Sequence, residues 1–277
     1  AASDVYKRQA CDKEDLGGSN IHVPEFDYNA LSETDKYIYD HYTVPYNVEV
    51  VYRWNQGDVS SDDMRKNLVP PRESQVEPFL EMIEKVWMDT YTAEVGQQTL
   101  RSYIPKQLLL VGSASYNDDG STTEGTAEGG RQIVLYSVND FNFELEQIQS
   151  YAHVMHHEFA HILHQNVEYD AEFEKITPSY SSSWMQMNDE TARSKGFITA
   201  YAFSSADEDF AEMVSIMLTN SPEDWDNMIE NAGNAAAVEA LRKKEAIVVA
   251  YMKNNWGVNM KDFQKEVVAA IEAAVRN

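Results

Sequence analysis

His157-Glu158-Phe159-Ala160-His161 places two imidazoles four residues apart, with a carboxylate directly after the first. On a helix each residue advances by about 100°, so residues four apart stand one turn apart on the same face. His157 and His161 can therefore offer nitrogens to one divalent ion. Glu158, one step round, can reach a water held by that ion without itself being a ligand. The chemistry of such a trio is hydrolysis by an activated water, with Glu158 as general base. The competing reading is a histidine-rich surface helix, or imidazoles that are hydrogen-bonded within a core.

Two imidazoles do not complete a hydrolytic zinc site, because catalytic Zn2+ takes three protein ligands and keeps a fourth position for water. Cys11 is the one cysteine, so neither a cysteine-based site nor an intrachain disulfide is available, and the ligands must be histidine and carboxylate. A glycine three residues after His161 and a third histidine three residues later would be one continuation, but His164 and Val167 stand there. No Gly-Thr-x-Asp stretch supplies an aspartate. A glutamate on a downstream helix remains, and the stretch Tyr201 to Met213 offers Glu208 and Glu212, four apart and facing one side. Glu208 suits a third ligand, and Glu212 suits an acceptor for the outer N–H of a ligand histidine. Paired carboxylates repel unless a cation or donor lies between them, although a solvated acidic helix would show the same spacing. His153 and His164 fall in the stripe of the ligand pair, where they line the cleft or simply pack. His156 points away and reads as structural.

These residues need elements to hold them. Ala152, Met155, Phe159, Ile162 and Leu163 form an apolar stripe opposite the histidines, which would fasten that helix into a core. Upstream, the spacing predicts a helix over Asn29–Tyr42 with Ser32 as N-cap and Pro45 as its stop, a strand within Asn47–Trp54, and a loop over Gly57–Glu73. An amphipathic helix follows over Gln75–Tyr91, then a buried strand in Gln107–Gly112 and a polar loop over Asn117–Gly130. A strand over Gln132–Val138 immediately precedes the histidine helix; it is either an edge strand that receives a peptide by β-addition or an ordinary core strand. Glu168–Gly196 reads as irregular, and Ala206–Leu218, Glu223–Asn231, Ala235–Asn255 and Met260–Val275 read as helices. Strands with helices come first and helices alone come last. This order predicts an α+β protein with an N-terminal lobe over about 21–167 and a helical C-terminal lobe over about 168–277, around a cleft.

At 277 residues, 43% of them hydrophobic, the chain can bury a sizeable core, and no apolar run approaches the ~20 residues that span a bilayer. A net charge of −24 argues against nucleic acid and anionic lipid surfaces as partners, since like charges repel. Residues 1–20 are polar and Gly/Ser-containing, and read as a disordered tail. Within it, Ala10-Cys11 followed by Asp12-Lys13-Glu14-Asp15 has the look of a lipidated cysteine with an acidic tether behind it.

H-E-F-A-H, followed downstream by a tyrosine seven residues ahead of E-x-F-A-E, resembles the glutamate zincins, in particular the lethal-factor-like peptidases. The resemblance implies a zincin-like fold, bound zinc and hydrolysis of peptide bonds. By position, Glu208 is the ligand, Tyr201 a helper of the reaction and Glu212 a support behind a ligand histidine. From about His22 to the C-terminus the chain is similar to the zinc metallopeptidase lipoproteins of Bacteroidota, often encoded beside outer-membrane nutrient-import systems. That likeness implies a cell-surface or outer-membrane protein, anchored through Cys11, acting on peptides or proteins in association with such a system. Two other functions stay open: a non-catalytic lipoprotein that binds peptide or glycan for import, and a zinc hydrolase of non-peptide amides or esters.

Overall fold

In the computed structural model, residues 26–276 are described apart from 56, 58–65, 117–121, 124 and 129–130. The expected tail, including Cys11, lies outside the described residues. The described strands are β1 (Glu49–Val51), β2 (Gln107–Leu110), β3 (Ser115–Tyr116), β4 (Thr122–Thr123), β5 (Gly125–Glu128) and β6 (Gln132–Leu135). One sheet has the order β1-β2-β6-β5, parallel except for the antiparallel β5–β6 pair, while β3 and β4 form a separate antiparallel pair. Side chains alternate across a strand, so Leu108, Leu110, Ile133 and Leu135 enter the main core. Leu109, Val111, Val134 and Tyr136 form a smaller cluster on the opposite face. Burial on both faces is why these two strands read as continuous apolar runs.

The strand before the histidine helix is not the sheet edge. β2 flanks β6 on one side and β5 on the other, so among the described residues the edges of this sheet are β1 and β5. That corrects both the edge reading of Gln132–Val138 and the reading of Asn117–Gly130 as loop. Gly125 shows how tightly β5 lies against the helix: a Cβ there would collide with Val154 Cγ1. A short edge strand of Gly, Thr and Ala carries almost no apolar pattern, and its sequence hides it.

The helices are α1 (Glu33–Ile38), α2 (Val44–Tyr46), α3 (Glu73–Ile83), α4 (Asp89–Val95), α5 (Gln97–Tyr103), α6 (Leu145–Asn166), α7 (Glu172–Ile176), α8 (Asp189–Arg193), α9 (Ala206–Thr219), α10 (Pro222–Glu230), α11 (Ala235–Tyr251) and α12 (Met260–Ala274). Ser32 caps α1 as its sequence suggests, accepting from the Asp35 amide. Pro45 does not end that helix. A π-helical turn over Tyr39–Thr43 shifts the hydrogen-bond register ahead of it, and the stop comes at Asn47, which adopts a left-handed conformation (φ 57°). Sequence periodicity also missed α5, α7 and α8, all too short to show more than two turns.

α3 and α4 are joined by a π-helical turn, Glu84–Met88, and this continuous rod lies under α6. Phe159 packs edge-on against Trp87 and Tyr91 there, and Met155, Ala152 and Ile148 are fully buried beside it. On its other side α6 meets α9 in the most extensive helix–helix contact of the protein. The pairs Gln149–Thr219, His153–Glu212 and His161–Glu208 show the two helices running antiparallel. The architecture is α+β and zincin-like, with a small mixed sheet and α6 in the N-terminal part and helices alone in the C-terminal part.

Candidate active site

Twenty-two residues of α6 carry the histidines without interruption by Gly or Pro, so the helical phase set at Leu145 persists through His164. Opposite it, α9 begins at a Ser205 cap whose side chain accepts from the Glu208 amide at 3.3 Å. This fixes Glu208 in the first turn, where the helix dipole favours its negative charge. Glu212 follows one turn later on the same face.

Three donor atoms converge between the helices. His157 Nε2 and His161 Nε2 are 3.1 Å apart, and Glu208 Oε2 lies 3.0 Å from the first and 3.1 Å from the second. Ligand atoms around a tetrahedral zinc are roughly 3.3 Å apart, given bonds of about 2.0–2.1 Å, so the triangle needs to open by only a few tenths of an ångström. Two imidazoles and one carboxylate also form the donor set of zinc sites that keep a position for water. The residues present fit zinc.

Each imidazole is held from behind. His157 Nδ1 has Glu212 Oε1 at 2.8 Å as a close ion-pair neighbour, without the alignment of a good hydrogen bond. Glu212 is itself buried and held at both oxygens: His153 Nε2 lies 2.9 Å from Oε1, and Thr199 Oγ1 donates to Oε2 at 2.6 Å. His161 Nδ1 lies 2.9 Å from His164 Nε2. Burial lowers the pKa of His164, which keeps that ring neutral and able to accept the His161 Nδ1–H. Such outer bonds fix which nitrogen of a ligand faces the metal.

The electrostatics of the metal-free cluster follow from two carboxylates enclosing one ring. Burial alone would lower His157, but Glu208 and Glu212 outweigh it and raise its pKa to about 10. Burial would raise Glu208, yet the two imidazoles hold it down at about 2. Glu212 is likewise pushed well below the usual carboxylate range, against its burial, by His153 and His157. Glu158 moves the other way: burial raises its carboxyl, with His157 and His161 opposing. No side chain among the described residues hydrogen-bonds that carboxylate, so it is free to take a proton.

Tyr201 sits in a short 3-10 turn ahead of α9, 38% exposed, its ring 5.8 Å from that of His157 and edge-on to Trp184. Burial and the nearby Glu208 carboxylate raise the phenol well above its ordinary value, so it stays a donor. All six residues singled out in the sequence, His157, Glu158, His161, Tyr201, Glu208 and Glu212, are thus brought to one place. His156 does point away, bonding the Val86 carbonyl at 3.2 Å. His153 and His164 have defined partners that their helical spacing hinted at. Thr199 and Trp184 had no signal in the sequence at all.

No curated protein matches the chain. A solved structure described as "a putative zinc-binding metallo-peptidase from Bacteroides caccae ATCC 43185" is similar to it at 32% identity and a TM-score of 0.75, covering 87% of this chain and 92% of that one. The model of the family described as "Putative zinc-binding metallo-peptidase" matches residues 28–261, and the chain, with its two imidazoles and a carboxylate converging across α6 and α9, belongs to that family.

Proposed function

We propose that this metallopeptidase cleaves peptide bonds at the His157–His161–Glu208 cluster, with Glu158 as general base and Tyr201 as a donor to the developing oxyanion. The observation that carries this is the meeting of Glu208 Oε2 with both imidazole Nε2 atoms, at 3.0 and 3.1 Å, from a helix far away in sequence. Bound there, zinc would lower the pKa of water towards ~7 and polarise the scissile carbonyl. Glu158 takes a proton from the attacking water as the new C–O bond forms. It returns that proton to the departing nitrogen as the C–N bond breaks, so the carboxylate ends as it began. Its raised pKa suits both halves of the cycle, since a weak base accepts poorly and a strong acid cannot hold the proton. The Tyr201 hydroxyl, kept protonated, donates to the carbonyl oxygen while that oxygen carries charge. Glu212, held by His153 and Thr199, keeps the His157 ring turned with Nε2 towards Glu208.

The decisive measurement is zinc content together with cleavage of a peptide library, wild type against Glu158→Gln. The variant should keep its zinc and lose about 10²–10⁴-fold in turnover, the range for removing a general base. Cleavage as fast as wild type would remove Glu158 from the mechanism.

The reading extends to place. Cys11 and the acidic residues behind it support a lipid anchor at the cell surface or outer membrane, where the enzyme would act on peptides beside a nutrient-import system. Fatty-acid labelling of the protein in a Gram-negative host should depend on Cys11; equal labelling of Cys11→Ser would end that part of the proposal.

A further inference from the structure

Beside Glu208, on the side of α9 away from the histidines, lies an ion pair that the chemistry above does not use. Asp209 and Lys244 are both at 0% exposure. Lys244 Nζ donates to Asp209 Oδ2 at 2.5 Å and to the Gly196 carbonyl at 2.7 Å, and its ammonium stands 4.1 Å from the centre of the Phe197 ring. The Tyr180 hydroxyl donates to the same Asp209 oxygen at 3.1 Å, while Asp209 Oδ1 has no partner. Gly196 makes this possible: it adopts φ +85°, and a Cβ there would stand 2.9 Å from Ala240 Cβ, one turn before Lys244 on α11.

Burying a charge pair is costly, and replacing one with apolar groups is often neutral or stabilising, so stability alone does not explain it. What the pair does have is a position. Asp209 is about 100° round α9 from Glu208, so pinning one fixes the direction of the other. Gly196 opens the segment that brings Thr199 onto Glu212 and Tyr201 beside His157. Tyr180 adjoins Ser181, whose amide donates to the Phe203 carbonyl and holds the far end of that segment. A single ammonium on α11 therefore joins the turn that bears Glu208 to the strand of chain that bears Thr199 and Tyr201.

We infer that Lys244, through its buried bonds to Asp209 and Gly196, is a positioning residue that sets Glu208 and the Tyr201 segment against the histidines of α6. The inference rests on the proposed zinc site, because it assigns Lys244 a role in that geometry. A lysine sealed from solvent touches no substrate, and its three N–H groups are spent on a carboxylate, a carbonyl and an aromatic face.

The test is a double variant, Lys244→Met with Asp209→Leu, which replaces the pair with apolar groups of similar size. Zinc affinity is read by competition with a chromogenic chelator, and stability by the thermal midpoint of the metal-free protein. The expected result is a zinc affinity lowered about 10–100-fold, the cost of losing support behind a metal site, with the metal-free midpoint near that of wild type. On the peptide library kcat should fall more than KM rises. A folded double variant that binds zinc within about twofold of wild type overturns the inference. Should the double variant fail to fold, Lys244→Met alone keeps the stem and removes the ammonium from both Asp209 and the Gly196 carbonyl; zinc affinity unchanged in that variant overturns the inference equally. Glu208→Ala measured in parallel separates the two readings. If it keeps wild-type zinc affinity, the site itself is misassigned and this inference falls with it; if it loses zinc while the double variant does not, only the role of Lys244 falls.

Discussion

His156 and His157 are neighbours in the chain and lie on two faces of one helix, and both are buried, at 0% and 6% exposure. Their protonation nevertheless diverges. Burial drives His156 down to about 3, with only the Val86 carbonyl opposing, because its ring faces Tyr91 and Phe263 and its Nδ1 has no partner. His157 is driven up to about 10 because, against its burial, two carboxylates of α9 close around it. Burial sets the cost of a charged ring, and the facing oxygens decide its sign. The apolar face of α6 tolerates a histidine as a neutral packing group. The other face turns one into a ligand by surrounding it with groups that also cannot be left alone.

The sharpest way to break this contrast is to remove each ring in turn. His157→Ala deletes a ligand and leaves Glu212 buried with one contact fewer, so zinc affinity should fall by more than the ~10–100-fold that outer partners cost, and hydrolysis should vanish with it. His156→Phe, which keeps a flat ring and discards both nitrogens, should leave zinc stoichiometry intact. Its stability should change by no more than about 1–2 kcal/mol, the Val86 carbonyl losing a donor while an unpartnered nitrogen disappears. Metal analysis and thermal unfolding of the two variants read both outcomes. Zinc lost from His156→Phe would show that the two faces are not separate.

Titration tests the same contrast with smaller changes. In the metal-free protein His157 has a folded-state pKa of about 10, above the ~6.5 of an unfolded chain. Its stabilisation is therefore whole below pH ~6.5 and is lost as pH rises towards 10. Glu208, held at about 2, contributes fully above pH ~4.5 and loses that contribution as pH falls towards 2. The metal-free cluster consequently helps the fold most between these limits. Zinc must displace the His157 proton, so its uptake should strengthen by up to about tenfold per pH unit through neutrality. The gap in thermal midpoint between zinc-loaded and chelator-treated protein should then widen from about pH 6 to about pH 8.5. A gap that stays flat would mean that the displaced proton does not sit on His157.

Much of this was legible from residues alone, and the reason is periodicity. The four-residue spacings His157–His161 and Glu208–Glu212 each lie on a helix whose apolar stripe is long enough to fix its phase, so the facing side chains follow from geometry. Contacts that join distant segments carry no such mark. Thr199 reaches Glu212 only because the chain from Gly196 to Phe203 folds back over α9, and nothing in that stretch distinguishes this threonine from another. His164 was visible in the ligand stripe, but that it accepts from His161 depends on a burial-lowered pKa. β5 went unread because Gly, Thr and Ala give an edge strand neither alternation nor an apolar run. Asp209 carries no mark in its acidic turn that points to Lys244, which meets it from a helix 35 residues on.

The smallest expected effect tests how far the carboxylate face depends on bonds that the sequence did not reveal. Thr199→Val removes the hydroxyl from Glu212 Oε2 and leaves the side chain's volume nearly unchanged. Glu212 keeps His153 and His157 on its other oxygen, so its charge remains compensated and the fold should lose only about 1–3 kcal/mol, the cost of a buried acceptor left unsatisfied. The carboxylate can then rotate about a single anchored oxygen, and the His157 ring with it. Zinc affinity should weaken by about tenfold, the low end for an outer partner, while metal stoichiometry at saturation stays that of wild type. Chelator competition measures the first and metal analysis the second. An unchanged affinity would mean that His153 alone orients Glu212, and the carboxylate face would then be held together by α6 and α9 without help from the Tyr201 segment.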